Sequence, residues 1–194
     1  MSRLVRGLTR LVSDLRDLDA RFALVGALAV SARAEPRFTR DVDLAVSVPG
    51  DSEAETLVRE LWQRGYRQHG DPLEHQASGR LATVRLVVPG EAAEGVVADL
   101  LFAQTGIEPE VVADAEILEV AAGLRLLVAR PGHLLVQKLL ADRPQDRLDV
   151  EQLLSRCDEG EVARARRAAT LVVERGFDRG IDLSARLEQA LAPR

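Results

Sequence analysis

Asp41 and Asp43 stand one residue apart in the run DVDLAVS, among apolar neighbours. On an extended chain successive side chains alternate between faces, so both carboxylates share one face while Val42 and Leu44 enter the core. Two acids on one face repel unless a cation lies between them. Asp99 has the same setting in VVADLLF, and a carboxylate amid such a strand is unfavourable unless it meets a metal or hydrogen-bond donors. Three strand-borne carboxylates that converge suit a pair of Mg²⁺ ions, which take hard oxygen ligands and clamp the attacking and leaving oxygens of a phosphoryl transfer. Glu91, Glu94, Glu108 and Glu110, read as lying in neighbouring loops, are the alternatives for the third acid.

Upstream, Gly26 and Ala27 follow the apolar run FALV at a strand-to-helix turn. Glycine lets backbone approach a ligand closely, and the following helix N-terminus offers N–H groups to a triphosphate. Lys138 is the single lysine among 26 Lys and Arg. Its helical neighbours are Leu134, Leu135 and Ala141, so its ammonium either seeks phosphate or carboxylate, or reaches solvent or Asp142. Asp146 and Asp149 lie one turn apart on the next helix; one orients Lys138 or the site, and the other caps or pairs with Arg143 or Arg147. Thr39 shares the face of Asp41 on an extended chain, or is only a β-former at a strand start. Arg33, Arg37 and Arg40 form a positive cluster read as contacting phosphates of NTP or RNA, whereas Arg164, Arg166 and Arg167 equally suit a solvated helix face. His69, His75 and His133 lack metal-like spacing and are read as surface or cap residues. Trp62 and Tyr66 are read as packing a helix end.

The elements that position these residues follow from periodicity. Leu4, Leu8, Leu11, Leu15 and Leu18 mark an amphipathic helix over 3–20. Strands are expected at 22–26, 41–47, 80–88, 95–103, 116–120 and 124–128, with helices at 27–34 and 51–65. From Pro131 onward every segment reads as helix, the last near 183–191. The fold class is thus α+β, with an α+β core over 1–128 and a helical region over 129–194.

At 46% apolar and 29% charged residues, the 194-residue composition excludes a disordered chain. One cysteine, Cys157, cannot form an intrachain disulfide or a cysteine-based zinc site. No apolar run approaches the roughly 20 residues of a membrane span, and a cytoplasmic location is expected. A net charge of −5 and 3% aromatic residues argue against a dedicated single-strand binder. Any nucleic-acid contact must come from a local arginine patch.

The segment LVGALAVSARAEPRFTRDVDLAV resembles the opening of the minimal nucleotidyltransferases of the DNA polymerase β superfamily, and more closely their AbiEii-type toxin branch, which includes the MenT-like tRNA nucleotidyltransferase toxins. Arg37, Thr39, Asp41 and Asp43 match that branch's Arg-x-Thr-x-Asp-hydrophobic-Asp pattern. Lys138, Arg143, Asp146 and Asp149 match its Lys-bearing helix and the Arg-x-x-Asp-x-x-Asp segment after it, so the resemblance spans residues 20–155. It implies a mixed sheet with flanking helices followed by a C-terminal helical bundle. It also implies transfer of NMP from an NTP to the 3′ end of tRNA, with release of pyrophosphate and loss of aminoacylation. Asp41, Asp43 and Asp99 would be catalytic ligands of two Mg²⁺ ions, and Lys138 would neutralise phosphate charge. Gly26, Ala27, Arg37, Thr39, Asp146 and Asp149 would complete the nucleotide site with Lys138. Ala27 departs from the family's Gly-Ser turn and lacks its hydroxyl, which leaves phosphate grip to backbone N–H groups and nearby Arg or Ser31. The resemblance further implies an antitoxin, and phosphorylation of Thr39 would add nearly two negative charges beside the metal ligands. The alternatives are transfer to an aminoglycoside or a protein hydroxyl, or a catalytically silent protein of the same fold that acts by binding.

Overall fold

A computed structural model describes residues 2–36, 38–74, 78–90 and 95–192. In chain order the elements are α1 (Arg3–Asp17), β1 (Arg21–Val25), α2 (Gly26–Arg33), β2 (Asp41–Ser47), α3 (Asp51–Gln63), β3 (Arg67–Gln68), β4 (Leu73–Glu74), β5 (Leu81–Val88) and β6 (Val96–Leu101). Then come α4 (Glu108–Ala113), β7 (Glu116–Ala121), β8 (Leu124–Val128), α5 (Pro131–Ala141), α6 (Asp146–Leu154), α7 (Glu159–Glu174) and α8 (Leu183–Leu191). One mixed sheet runs β3-β5-β6-β2-β1-β8-β7, with β4 paired to the outside of β5. β2 and β6 run parallel, as do β1 and β8, and the remaining pairs are antiparallel.

The helices cover the sheet because each has an apolar stripe to bury. In α1, capped by the Ser2 hydroxyl accepting from the Val5 N–H, residues Leu8, Leu11, Val12 and Leu15 are fully buried. Gly7 lets this helix lie against β6: a Cβ there would sit 2.6 Å from the Val96 side chain. Val96, Ala98 and Leu100 occupy one face of β6, so α1 packs on the face opposite Asp99. From α5 onward the chain is helical, and α5 packs against α6, α7, α8 and α2. A single buried cluster joins sheet and helices, from Leu8 through Leu44 and Leu135 to Leu187.

The expected α+β class, the strand and helix order and the helical C-terminal region all hold. The structure adds α4, which places Glu108 and Glu110 on a helix where loops were expected. A six-residue helix opening with Pro at its first turn is too short to show periodicity. Tyr66 is buried and donates its hydroxyl to Asp14 at 2.8 Å, while Trp62, read with it as packing a helix end, is 45% exposed.

Candidate active site

Sheet register brings the charged residues into one row. Val25, Asp43, Asp99 and Arg85 are direct neighbours across β1, β2, β6 and β5, and adjacent strands lie only about 4.8 Å apart. The Arg85 guanidinium donates to both oxygens of Asp99, each at 2.7 Å, in a fork that matches a carboxylate. That pairing keeps Arg85 protonated beyond its ordinary range. No hydrogen bond or ion pair among the described residues reaches the carboxylate of Asp43 or Asp41. Burial, and then the adjacent Asp99 charge, pushes Asp43 up to about 6 against the pull of Lys138 and Arg143. Gly26 lies directly over this carboxylate: it takes φ +63°, and a Cβ there would come within 1.9 Å of Asp43 Oδ2. Only glycine allows both that backbone conformation and that approach.

A second ionic cluster lies behind the row. Lys138 on α5 is 4% exposed, and its ammonium donates to Asp146 at 2.9 Å and forms an ion pair with Asp149 at 2.7 Å. Asp146 also accepts from the Arg143 guanidinium at 2.9 Å. Although burial pulls the other way, Arg143 and Lys138 hold Asp146 below the usual carboxylate range. An ammonium has three N–H donors, and two are engaged here.

Both clusters border a cavity of about 440 Å³. Gly26, Asp43 and Asp99 lie on its wall with four cations, Arg85, Lys138, Arg143 and Arg179. Gln104 and Thr105 close another side, in a loop that Glu108 holds by accepting from both backbone N–H groups and from the Thr105 hydroxyl. Arg179, between α7 and α8, adopts φ +56° and donates to the Gln104 carbonyl at 3.4 Å. Four cations facing three carboxylates, Asp43, Asp99 and Asp71, suit a polyphosphate anion with a divalent counter-ion.

The expected site residues separate into groups. Gly26, Asp43, Asp99 and Lys138 come together on that cavity. Asp41 and Thr39 instead line an adjoining hollow, where the Thr39 hydroxyl bonds weakly to the Asp41 carbonyl at 3.4 Å. Asp146 and Asp149 do not line the nucleotide-sized cavity; buried, they both hold Lys138. Ala27 is buried in the first turn of α2. Arg37, His75, Glu91 and Glu94 lie outside the described residues.

Other expectations are corrected. Arg33 makes no phosphate cradle, because its guanidinium bonds the Ala129 and Val128 carbonyls and Glu116. His133 is buried rather than a surface or cap residue. Glu108 and Glu110 are occupied by the Gln104–Thr105 loop and by Arg175, whereas Asp99 stands on β6 directly beside Asp43. Among the described residues no group of three or more His, Cys, Asp or Glu side chains is gathered as a cation would require; Asp99 is turned onto Arg85. Arg85 and Arg179 were missed. Arg85 carried the same signal as Asp99, a charge isolated within an apolar strand, and Arg179 carried none, since only the tertiary fold brings it to the cavity.

The fold recurs in solved structures. An antigenic nucleotidyltransferase-like protein from Paracoccidioides brasiliensis is similar over 96% of this chain and 91% of its own, with TM-score 0.55 and 18% identity. The antibiotic-resistance factor ANT(2'')-Ia matches over 90% of this chain and 97% of its own, with TM-score 0.55 and 16% identity. The lincosamide antibiotic adenylyltransferase LnuA matches over 78% of this chain and 97% of its own, with TM-score 0.50 and 12% identity. At such identities the likeness establishes the nucleotidyltransferase-like fold. No curated protein matches the chain in sequence. No helix among the described residues is long and apolar enough to cross a membrane. The model of the family "Nucleotidyl transferase AbiEii toxin, Type IV TA system" matches residues 10–192. The chain therefore belongs to the AbiEii family, as a nucleotidyltransferase toxin of a type IV toxin–antitoxin system, and such a toxin implies a cognate antitoxin.

Proposed function

We propose that this chain transfers NMP from an NTP to the 3′ end of tRNA, releasing pyrophosphate and blocking aminoacylation. The observation that carries the reading is the row Val25–Asp43–Asp99–Arg85, with Gly26 folded over Asp43 beside a cavity walled by four cations. In the reaction the acceptor hydroxyl oxygen bonds to the α-phosphorus, the bond to the pyrophosphate oxygen breaks, and the hydroxyl proton leaves to a base.

Asp41 and Asp43 fit a divalent cation, being oxygen donors on one strand face with no hydrogen-bond or ion-pair partner among the described residues, one of them under the glycine cradle. Mg²⁺ held there supplies positive charge at the transferring phosphate. Arg143, Arg179 and the remaining N–H of Lys138 neutralise the triphosphate, and Gly26 lets it approach the sheet. Asp99, held by Arg85, faces the same space as third carboxylate. Thr39 lies beside Asp41, so an antitoxin that phosphorylated it would place a dianion against the metal pair.

Incubation with each labelled NTP and total tRNA, in parallel with aminoglycosides and candidate partner proteins, tests the reading. Label on the 3′ end of tRNA supports it. Label only on another acceptor, with none on tRNA, rejects it.

A further inference from the structure

Asp41 and Asp43 share one face of β2, yet they border different spaces. Asp43 lies on the cation-walled cavity, whereas Asp41 borders a larger hollow of about 930 Å³. His69 lines both, so the two spaces adjoin beside the carboxylates. In-line displacement puts the attacking and leaving oxygens on opposite sides of phosphorus. With the triphosphate in the first space, the adjoining second space is open to the acceptor.

The walls of the second space have a particular chemistry. Phe38 is 79% exposed, the most exposed large apolar residue among those described. The Arg40 guanidinium sits 5.6 Å from its ring centroid, and at that exposure the ring remains open to a further stacking partner. Arg3 and Arg67 line the same hollow, where Asp41 is the one carboxylate among the described residues. The chain has only four Phe, and leaving one in solvent beside the catalytic strand contributes nothing to the core. An open aromatic ring amid guanidinium groups is what single-stranded nucleic acid uses: bases stack on the ring and phosphates meet the cations.

We infer that Phe38, backed by Arg40, is the stacking platform for the terminal base of the RNA acceptor, with Arg67 on its preceding phosphate. This inference rests on the RNA reading above. It makes Phe38 a positioning residue for the acceptor, with no role toward the NTP.

The test uses the full chain and short single-stranded RNA that ends in either a normal or an abasic 3′ nucleotide. Because Phe38 is exposed, Phe38→Ala should fold with an unchanged melting temperature. It should raise KM for the normal RNA about 10-fold, the scale of one base–aromatic stack, and leave KM for NTP unchanged. Phe38→Trp should retain the wild-type KM. The abasic end should weaken the wild type by the same factor and add nothing to Phe38→Ala, as expected if base and ring form one interaction. As a readout without catalysis, indole fluorescence of Phe38→Trp in a Trp62→Phe background should be quenched by the normal RNA and not by the abasic one. Transfer to RNA with an unchanged KM in Phe38→Ala and no quenching overturns the platform and leaves the RNA reading standing. Transfer to a protein or an aminoglycoside, with none to RNA, overturns both.

Discussion

The chain carries two pairs of aspartates on one face of an element, and they are in opposite electrostatic states. Asp146 and Asp149 on α6 close on the Lys138 ammonium at 2.9 and 2.7 Å, with Arg143 reinforcing Asp146. Among the described residues no cation pairs with Asp41 or Asp43 on β2, and the nearest guanidinium in the row, that of Arg85, is taken by Asp99. The helical pair is a finished clamp that fixes α5 against α6. The strand pair is an unmet charge. A half-buried carboxylate without a partner among the described residues is where a ligand contributes binding energy.

The largest effect expected from this contrast is at Asp43. Asp43→Asn should reduce nucleotide transfer by about 1000-fold or more, since it removes a charged oxygen ligand from the transfer site. The same change should stabilise the metal-free protein. The folded-state pKa of Asp43, about 6, is raised above its ordinary value of 3.8, so the folded state binds more protons than the unfolded state between those values. Stability linked to this group is then present at low pH and lost as pH rises through that window. At pH 7.5 the substitution should recover about 1–2 kcal/mol after allowance for solvent screening, and nothing at pH 3.5. Urea unfolding in chelator at the two pH values measures it. A destabilised Asp43→Asn at pH 7.5 would show that the fold already satisfies this carboxylate.

The clamp should respond the other way. Lys138→Met leaves two buried carboxylates facing each other and should destabilise the protein by about 3–5 kcal/mol, read from urea midpoints. Lys138→Arg tests geometry, since a planar fork replaces a compact ammonium between two carboxylates, and it should recover only part of that stability. If Lys138→Met instead unfolds like the wild type, the clamp account fails, whatever the variant does to transfer.

The contrast between the pairs was only half legible in the sequence. The alternation of DVDLAVS, the isolated Asp99 and the glycine turn at Gly26 are local signals, and each lands where strand periodicity puts it. Asp146 and Asp149 were assigned to the nucleotide site on their motif, with one of them read as orienting Lys138 or the site; that both close on Lys138 depends on how α5 and α6 pack, which spacing does not encode. Arg33 shows the same limit: its place in a basic cluster suggested phosphate, yet α2 delivers it to the Val128 and Ala129 carbonyls. Charge clusters in sequence become sites only where no buried acceptor claims them first.

His133 sharpens the comparison from within α5, because it is a buried base that the fold leaves without a close acid. Its Nδ1 has no hydrogen-bond partner, and Nε2 stands 3.9 Å from Asp114. Burial lowers its pKa to about 4; Asp114, Glu161 and Glu110 oppose that shift, and Arg164 adds to it. The unfolded state therefore binds more protons between about 4 and 6.5, so stability is fully present above pH 6.5 and falls as pH drops through that window. The loss should reach about 2–3 kcal/mol. His133→Gln should flatten that part of the profile of urea midpoint against pH, whereas Lys138→Met should lower the midpoint throughout it.

The smallest effect expected is at Arg179, on the ligand side of the contrast. Its φ of +56° is a left-handed conformation that disfavours a side chain by about 1–2 kcal/mol, and among the described residues its one hydrogen bond is the long one to the Gln104 carbonyl at 3.4 Å. A structural residue in that position would be better replaced by glycine. Arg179→Gly should therefore raise the melting temperature, or at least preserve it, while raising KM for NTP about 5- to 10-fold with little change in kcat, as expected for a contact made equally in ground and transition states. Stability and affinity moving in opposite directions would place Arg179 with Asp43, among the groups whose charge is met only by substrate. A fall in both would place it with the Lys138 clamp, as part of what holds the α7–α8 connection to the cavity loop.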